Sequence, residues 1–221
     1  MIEYNVVKTG SSGNFCIIEK CIAIDIGVPY KTVEPFIDDL KLILLTHRHS
    51  DHFKGSTVRR VALEKPRLRF GCCPWMVKPL IDAGVRKSQI DVLNPDMLYN
   101  YGVVSVIPFE VPHDVPNCGY KLHFPKGKVF YVTDCGNLNG IVARGYDLYL
   151  CEANYEDEEL QARMDAKKAE GIYAYEQRAM KYHLSKKQAD DFIYRYAGPQ
   201  SEYVYLHCHR EKDDESENHS V

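Results

Sequence analysis

Apolar residues along this chain fall mostly in short runs separated by turn-forming residues, the pattern of strands rather than of long amphipathic helices. Residues 2–7, 15–19, 21–26 and 42–45 read as strands in the first half, and 103–109, 118–124, 129–133, 147–151 and 203–206 in the second. The run Leu42-Ile43-Leu44-Leu45 is apolar throughout and predicts a buried strand. Helical periodicity predicts helices over 31–40, 53–64 and 74–83, with Pro74 in a first turn and Gly84 just past the end. A helical half-segment covers 157–170, is interrupted at Gly171 and resumes over 173–182. Ser185 is then an N-cap for 186–196, which Gly198-Pro199 stop. The base-rich stretch after residue 52 places Arg59 and Arg60 on a helix and Lys65, Arg67 and Arg69 at its exit. Thr9 to Asn14 is a turn, open to two uses, a plain hairpin or a nest of amides for an anion. No linker or repeat divides the chain, so 1–210 is expected to be a single domain. Residues 211–221 lack periodicity and are expected to be a disordered acidic tail.

Composition narrows the class. Over 221 residues, 45% hydrophobic and 27% charged content is that of a soluble globular protein large enough to bury a core. No apolar run approaches the roughly 18 residues of a membrane span, and the first residues do not form a signal peptide. No membrane association is expected, and cytoplasmic residence is. Eight cysteines without a C-x-x-C pair are expected to be buried free thiols. The tail holds five acids and one lysine, so of the net charge of −3 it carries −4 and leaves the body at +1. That body neither demands nor forbids an anionic substrate.

The chemistry concentrates at strand ends. His47-Arg48-His49-Ser50-Asp51-His52 places three histidines and an aspartate directly after the apolar run at 42–45. Asp25, His47, His113, Asp134, Glu152 and His207 each stand at or just beyond the end of a β-rich run, which predicts convergence on one cleft. Imidazole and carboxylate donors suit zinc first and manganese second. Seven candidate ligands (His47, His49, Asp51, His52, His113, Asp134 and His207) suit two divalent ions sharing a carboxylate and a bridging hydroxide, about 3.5–4 Å apart. Asp25 is either a supporting carboxylate or a simple strand-end residue. His123 is expected to face solvent. His209 competes with His207 as the last ligand, and the position right after the strand favours His207.

Thr46-His47-x-His49-x-Asp51-His52, followed by His113, Asp134 and His207, resembles the metallo-β-lactamase superfamily over residues 2 to 209. The resemblance implies an α/β fold, a four-layer αββα sandwich. It implies that His47, His49 and His113 hold one metal, that Asp51, His52 and His207 hold the other, and that Asp134 bridges. Asp134 stands where class-B β-lactamases carry Cys, and His49 where flavodiiron proteins carry Glu. Glu152-Ala153-Asn154 and His183-Leu184-Ser185 resemble elements by which tRNA-3′-processing phosphodiesterases assist the leaving group, which adds Glu152 and His183 to Asp51 as catalytic candidates. Gly10-Ser11-Ser12-Gly13-Asn14, Pro112-His113-Asp114 and Val132-Thr133-Asp134-x-Gly136 are similar to the YycJ/WalJ-like branch, regarded as DNA exonucleases. Tyr182 departs from the glycine usual there. The implied function is a two-metal phosphodiesterase or nuclease, with nucleic acid or another phosphodiester as partner and Arg48, Lys54, Arg59 and Arg60 available to its phosphates. The alternative is a thioester or lactone hydrolase of the glyoxalase II or lactonase sort, in which Glu152 and His183 have no role. A protein that holds metal only for structure is a third.

Overall fold

A computed structural model describes residues 1–169 and 176–208. The acidic tail, His209, His219 and Gly171 lie outside the described residues.

The first sheet runs in sequence order through β1 (Tyr4–Lys8), β2 (Phe15–Ile18), β3 (Ile22–Ile24), β4 (Leu42–Leu45), β5 (Arg69–Cys72) and β6 (Ile90–Val92). Hairpins pair β1, β2 and β3 antiparallel, and β3 to β6 are parallel. Parallel neighbours need crossovers, supplied by α1 (Tyr30–Val33), α2 (Gly55–Glu64) and α3 (Pro74–Asp82). The second sheet consists of β7 (Tyr99–Asn100), β8 (Ser105–Val111), β9 (Asn117–Phe124), β10 (Gly127–Val132), β11 (Leu148–Glu152) and β12 (Glu202–Leu206). There β7 to β10 are antiparallel and β10 to β12 parallel. Between β11 and β12 lie α4 (Asp157–Ala169), α5 (Glu176–Tyr182) and α6 (Lys186–Tyr196).

Side-chain alternation sorts these strands into layers. Ile22, Ile24, Leu42 and Leu44 share one core with Val129, Tyr131, Leu148 and Leu150, so the two sheets pack face to face. Their neighbours in sequence turn the other way. Ala23, Ile43 and Leu45 pack on Val33, Val58, Val61, Met76 and Leu80 of α1 to α3. Phe130, Val132, Tyr149 and Cys151 pack on Ala189, Phe192 and Ile193 of α6. Helix, sheet, sheet, helix is the four-layer order expected. Strands covered on both faces must be apolar at every position, which is why 42–45 reads as an unbroken run.

Several boundaries differ from expectation. The helix over 31–40 is a single turn of α1 followed by a 3₁₀ turn at Glu34–Phe36, because Pro35 has no N–H to continue the α-helical hydrogen bonding. Phe53 bridges to Ile26 instead of opening a helix, so α2 starts at Gly55. Arg69 belongs to β5, where its guanidinium pairs with Asp91 on the neighbouring strand. β5, β6 and β7 carry no long apolar run and were not expected. Among the cysteines, Cys21 is half-buried and Cys208 exposed, while the other six are buried; none of the eight is in a disulfide. His123 is half-buried, with Nε2 3.1 Å from the Tyr146 hydroxyl. No helix among the described residues is long and apolar enough to cross a membrane.

Candidate metal centre

The parallel strands deliver the functional side chains where their chains turn away from the sheets. Asp25 follows β3, His47 follows β4, Asp134 follows β10, Glu152 ends β11 and His207 follows β12. Asp25, Asp134 and His207 take left-handed backbone angles, with φ of 59°, 52° and 53°. Asp and His tolerate that region better than most residues, and the sharp turn aims each side chain back over the sheet edge. His113 follows β8 on the antiparallel side of the second sheet.

Asp25 organises the first loop. It is fully buried and accepts from the Thr46 N–H (2.9 Å), from Thr46 Oγ1 (3.0 and 2.9 Å to its two oxygens) and from His52 Nδ1 (2.7 Å). With its own proton committed to Asp25, Thr46 Oγ1 accepts from His47 Nδ1 at 3.0 Å. The outer nitrogens of His47 and His52 are thereby occupied, and Nε2 of each is left to face inward. This is the supporting carboxylate that the sequence left open. The Thr9–Asn14 turn also serves the loop. Asn14 Nδ2 donates to the Asp51 carbonyl (3.2 Å) and sits 2.8 Å from His52 Nε2, while Thr9 Oγ1 accepts from the His207 N–H (2.8 Å).

Among the described residues there are three groupings of donor atoms, each within 4.8 Å of one another. His47, His49 and His113 form the first: His49 Nδ1 is 3.1 Å from His47 Nε2 and 3.3 Å from His113 Nε2. His47, His52 and Asp134 form the second, with Asp134 Oδ2 at 2.5 Å from His52 Nε2 and 3.7 Å from His47 Nε2. Asp134, Glu152, His183 and His207 form the third, with Asp134 Oδ1 2.5 Å from His207 Nδ1. Asp134 belongs to two groupings and so occupies the centre. Asp51 falls outside all three; its Oδ2 lies 3.5 Å from His52 Nε2.

Glu152 and His183 form a unit of their own. Glu152 is fully buried, and its Oε2 accepts from the amides of Cys135 (2.9 Å) and Leu184 (3.2 Å). Its Oε1 is 2.6 Å from His183 Nδ1, which also lies 3.1 Å from Asp134 Oδ1.

The protonation states of His47, His113 and Asp134 suit cation binding, whereas His52, despite its burial, is held well above the usual imidazole range by Asp134 and Asp25. Burial, followed by the charge of His52, pushes His47 well below the usual imidazole range, so it is neutral. Burial works against ionisation of Asp134, but His52 and His207 outweigh it and hold the carboxyl well below its usual range. Among the described residues, neither oxygen of Asp134 nor Nδ1 of His207, all buried, has a hydrogen bond of good geometry, although they crowd together. Buried polar atoms that satisfy no partner are rare. Here they converge with neutral imidazoles on the common centre, and a divalent cation fits that donor set.

Sequence reasoning missed Thr46 as the link to His47, Asn14 as the brace on Asp51, and the Tyr182 carbonyl 3.1 Å from His113 Nδ1. It also missed Asp114, whose Oδ1 is 3.3 Å from His49 Nε2. The Asn14, Tyr182 and Asp114 contacts join segments far apart in sequence, whereas Thr46 is the neighbour of His47 and its contact depends on the turn of the backbone.

Residues 25–207 match the family model described as the beta-lactamase superfamily domain. An exodeoxyribonuclease YycJ from Bacillus anthracis is 26% identical over 72% of this chain and 66% of its own length. An exodeoxyribonuclease WalJ from Streptococcus pneumoniae serotype 2 is 28% identical over 92% of this chain and 80% of its own. Among solved structures, the metallo-β-lactamase fold protein YhfI from Bacillus subtilis superposes with a TM-score of 0.72 at 14% identity, covering 94% of this chain and 86% of that one. The short form of human tRNase Z does so with a TM-score of 0.67 at 16% identity, covering 95% and 93%. At those identities the structural likeness is one of fold.

Proposed function

The chain belongs to the beta-lactamase superfamily, and from that premise we propose that it is a metal-dependent hydrolase of nucleic-acid phosphodiesters, specifically a DNA exonuclease. His47, His49 and His113 would hold one divalent ion, His52, His207 and Asp51 a second, and Asp134 both; zinc suits the imidazole-rich set best. When bound, two such ions would lower the pKa of a shared water to about 7 and offset the charge gathering on the phosphate. The protein's own part is to fix the ligands and to handle the leaving group.

The Glu152–His183 unit carries the choice of reaction. An alkoxide expelled from a phosphodiester needs a proton, and a histidine held 2.6 Å from a buried carboxylate is placed to supply one. Burial favours the neutral ring, but the nearby carboxylates of Asp134 and Glu152 outweigh it and push His183 up to about 10, so the protein groups by themselves keep it protonated. A thioester or lactone hydrolase would have no use for this pair. A groove of about 570 Å³ lined by Arg48, Phe53, Ser56 and Arg59 adjoins the loop of ligands and offers positive charge to a strand's phosphates. Arg60 is not available for this, since it is committed to Glu64 and lies over the Tyr30 ring. The free thiols suit a reducing compartment, in keeping with residence in the cytoplasm. The names of the YycJ and WalJ relatives support DNA as the substrate.

Leaving-group dependence tests the role. His183→Ala is expected to slow release of nucleotides from DNA by about 10²–10⁴ with metal content intact. It should slow bis(p-nitrophenyl) phosphate far less, because nitrophenolate departs without a proton. Equal losses on both substrates, or loss of an ion, would remove His183 from this role.

A further inference from the structure

Each histidine of the first grouping has one nitrogen facing its neighbours and another turned outward. His47 Nδ1 is taken by Thr46 Oγ1, and His113 Nδ1 by the Tyr182 carbonyl at 3.1 Å. His49 is the least buried of the three, its side chain 34% exposed, and it faces inward through Nδ1. A neutral imidazole that ligates through Nδ1 must carry its proton on Nε2.

Asp114 Oδ1 lies 3.3 Å from that Nε2 and 3.1 Å from His113 Nε2. It is buried, and no hydrogen-bond donor among the described residues satisfies it as the rings stand. His113 Nε2 faces the ion position and has no proton to give once it ligates. The N–H that remains within reach of Oδ1 is that of His49. The other oxygen, Oδ2, is bound by the Arg178 guanidinium of α5. The last turn of α5 borders the cluster at two further points, through the Tyr182 carbonyl and through the Lys181 carbonyl, which would lie 2.4 Å from a Cβ at Gly136.

We propose that Asp114 is the positioning carboxylate of His49, and that α5 anchors it through Arg178, so that the first metal position depends on this helix. Carboxylates behind ligating histidines fix ring orientation and raise ligand basicity, and their removal typically weakens metal binding by about 10–100-fold. Arg178 is 68% exposed, so its ion pair contributes little on its own, and its effect is smaller than that of Asp114. The inference rests on the metal-holding part of the proposed function and not on the substrate.

The test is Co²⁺ titration against a competing chelator, which reads the two ions separately by their visible spectra. Asp114→Ala is expected to weaken one ion by about 10–100-fold and leave the other unchanged. In ¹⁵N-edited spectra of the zinc-loaded protein, the His49 Nε2–H resonance should be protected in the native chain and lost in Asp114→Ala. Asp114→Asn, which keeps an oxygen acceptor at the same place and guards against a folding failure, should retain that resonance with a smaller loss of affinity. Arg178→Met should weaken the same ion by less than Asp114→Ala. Unchanged affinity in Asp114→Ala would overturn the inference. So would Asp114→Asn as weak as Asp114→Ala with the resonance still protected, since Asp114 would then be a ligand. No effect of Arg178→Met would detach α5 from it. A chain that shows these losses but cleaves no nucleic acid keeps this inference and loses the proposed function; the reverse outcome does the opposite.

Discussion

Single residues at strand ends carry most of what the sequence discloses about the site. His47, His49, His113, Asp134, Glu152 and His207 stand out because a charged or imidazole side chain directly after an apolar run has no structural need to be there. Their partners were hidden for the opposite reason. Asp114 is an ordinary polar residue until the fold sets it against His49, and Thr46, although next to His47, shows its role only once Asp25 takes its proton. The cysteines show the same division. Burial pushes the Cys16 and Cys72 thiols up to about 12, and a thiol that does not ionise is a poor nucleophile. Titration of the native protein with a thiol-specific disulfide reagent should therefore modify exposed Cys208 first, with the six buried thiols reacting on addition of denaturant. Fast reaction of all eight in the native state would contradict the packing described.

Among the elements, the loop after β4 is held by its backbone as well as by the side chains of Thr46 and His52. The Asn14 N–H donates to the Asp51 carbonyl (2.6 Å), the Ile26 N–H to the His52 carbonyl (2.9 Å) and the Gly27 N–H to the Asn14 carbonyl (3.0 Å). This stitching leaves no room at Gly27, where a Cβ would lie 1.6 Å from the Asp51 carbonyl oxygen and 2.6 Å from the His52 nitrogen. Gly27→Ala should displace the ligand loop. A stability loss near the about 4–5 kcal/mol end of single substitutions is expected in urea unfolding, together with weaker metal binding. A loss below about 1 kcal/mol with full metal affinity would show that the loop accommodates the change. Strands covered on both faces were legible because every position is apolar. β5 to β7 were not, because Arg69, Gly71 and Asp91 break the apolar run, and their pairing depends on neighbours that no local pattern names. The helix expected over 31–40 failed at one residue, Pro35.

For the whole molecule, the alternation of apolar strands and helices pointed to layers, and three separate cores bear out the four-layer order. Which sheet each strand joins could not be read from the chain, since strands of both sheets contribute to the same central core. Bringing the ends of β3, β4, β8, β10, β11 and β12 together is what the two-sheet packing does for function. It places Asp134 in two of the three groups of donors and sets the Glu152–His183 unit beside it. That arrangement carries the central claim, a two-metal hydrolase that removes nucleotides from DNA. Its most direct test is incubation of zinc- or manganese-loaded protein with end-labelled single- and double-stranded DNA and RNA, with Asp134→Ala as the control. The account predicts stepwise release of nucleotides from a DNA end, abolished in Asp134→Ala; cleavage of none of the four substrates by protein shown to hold two ions would contradict it.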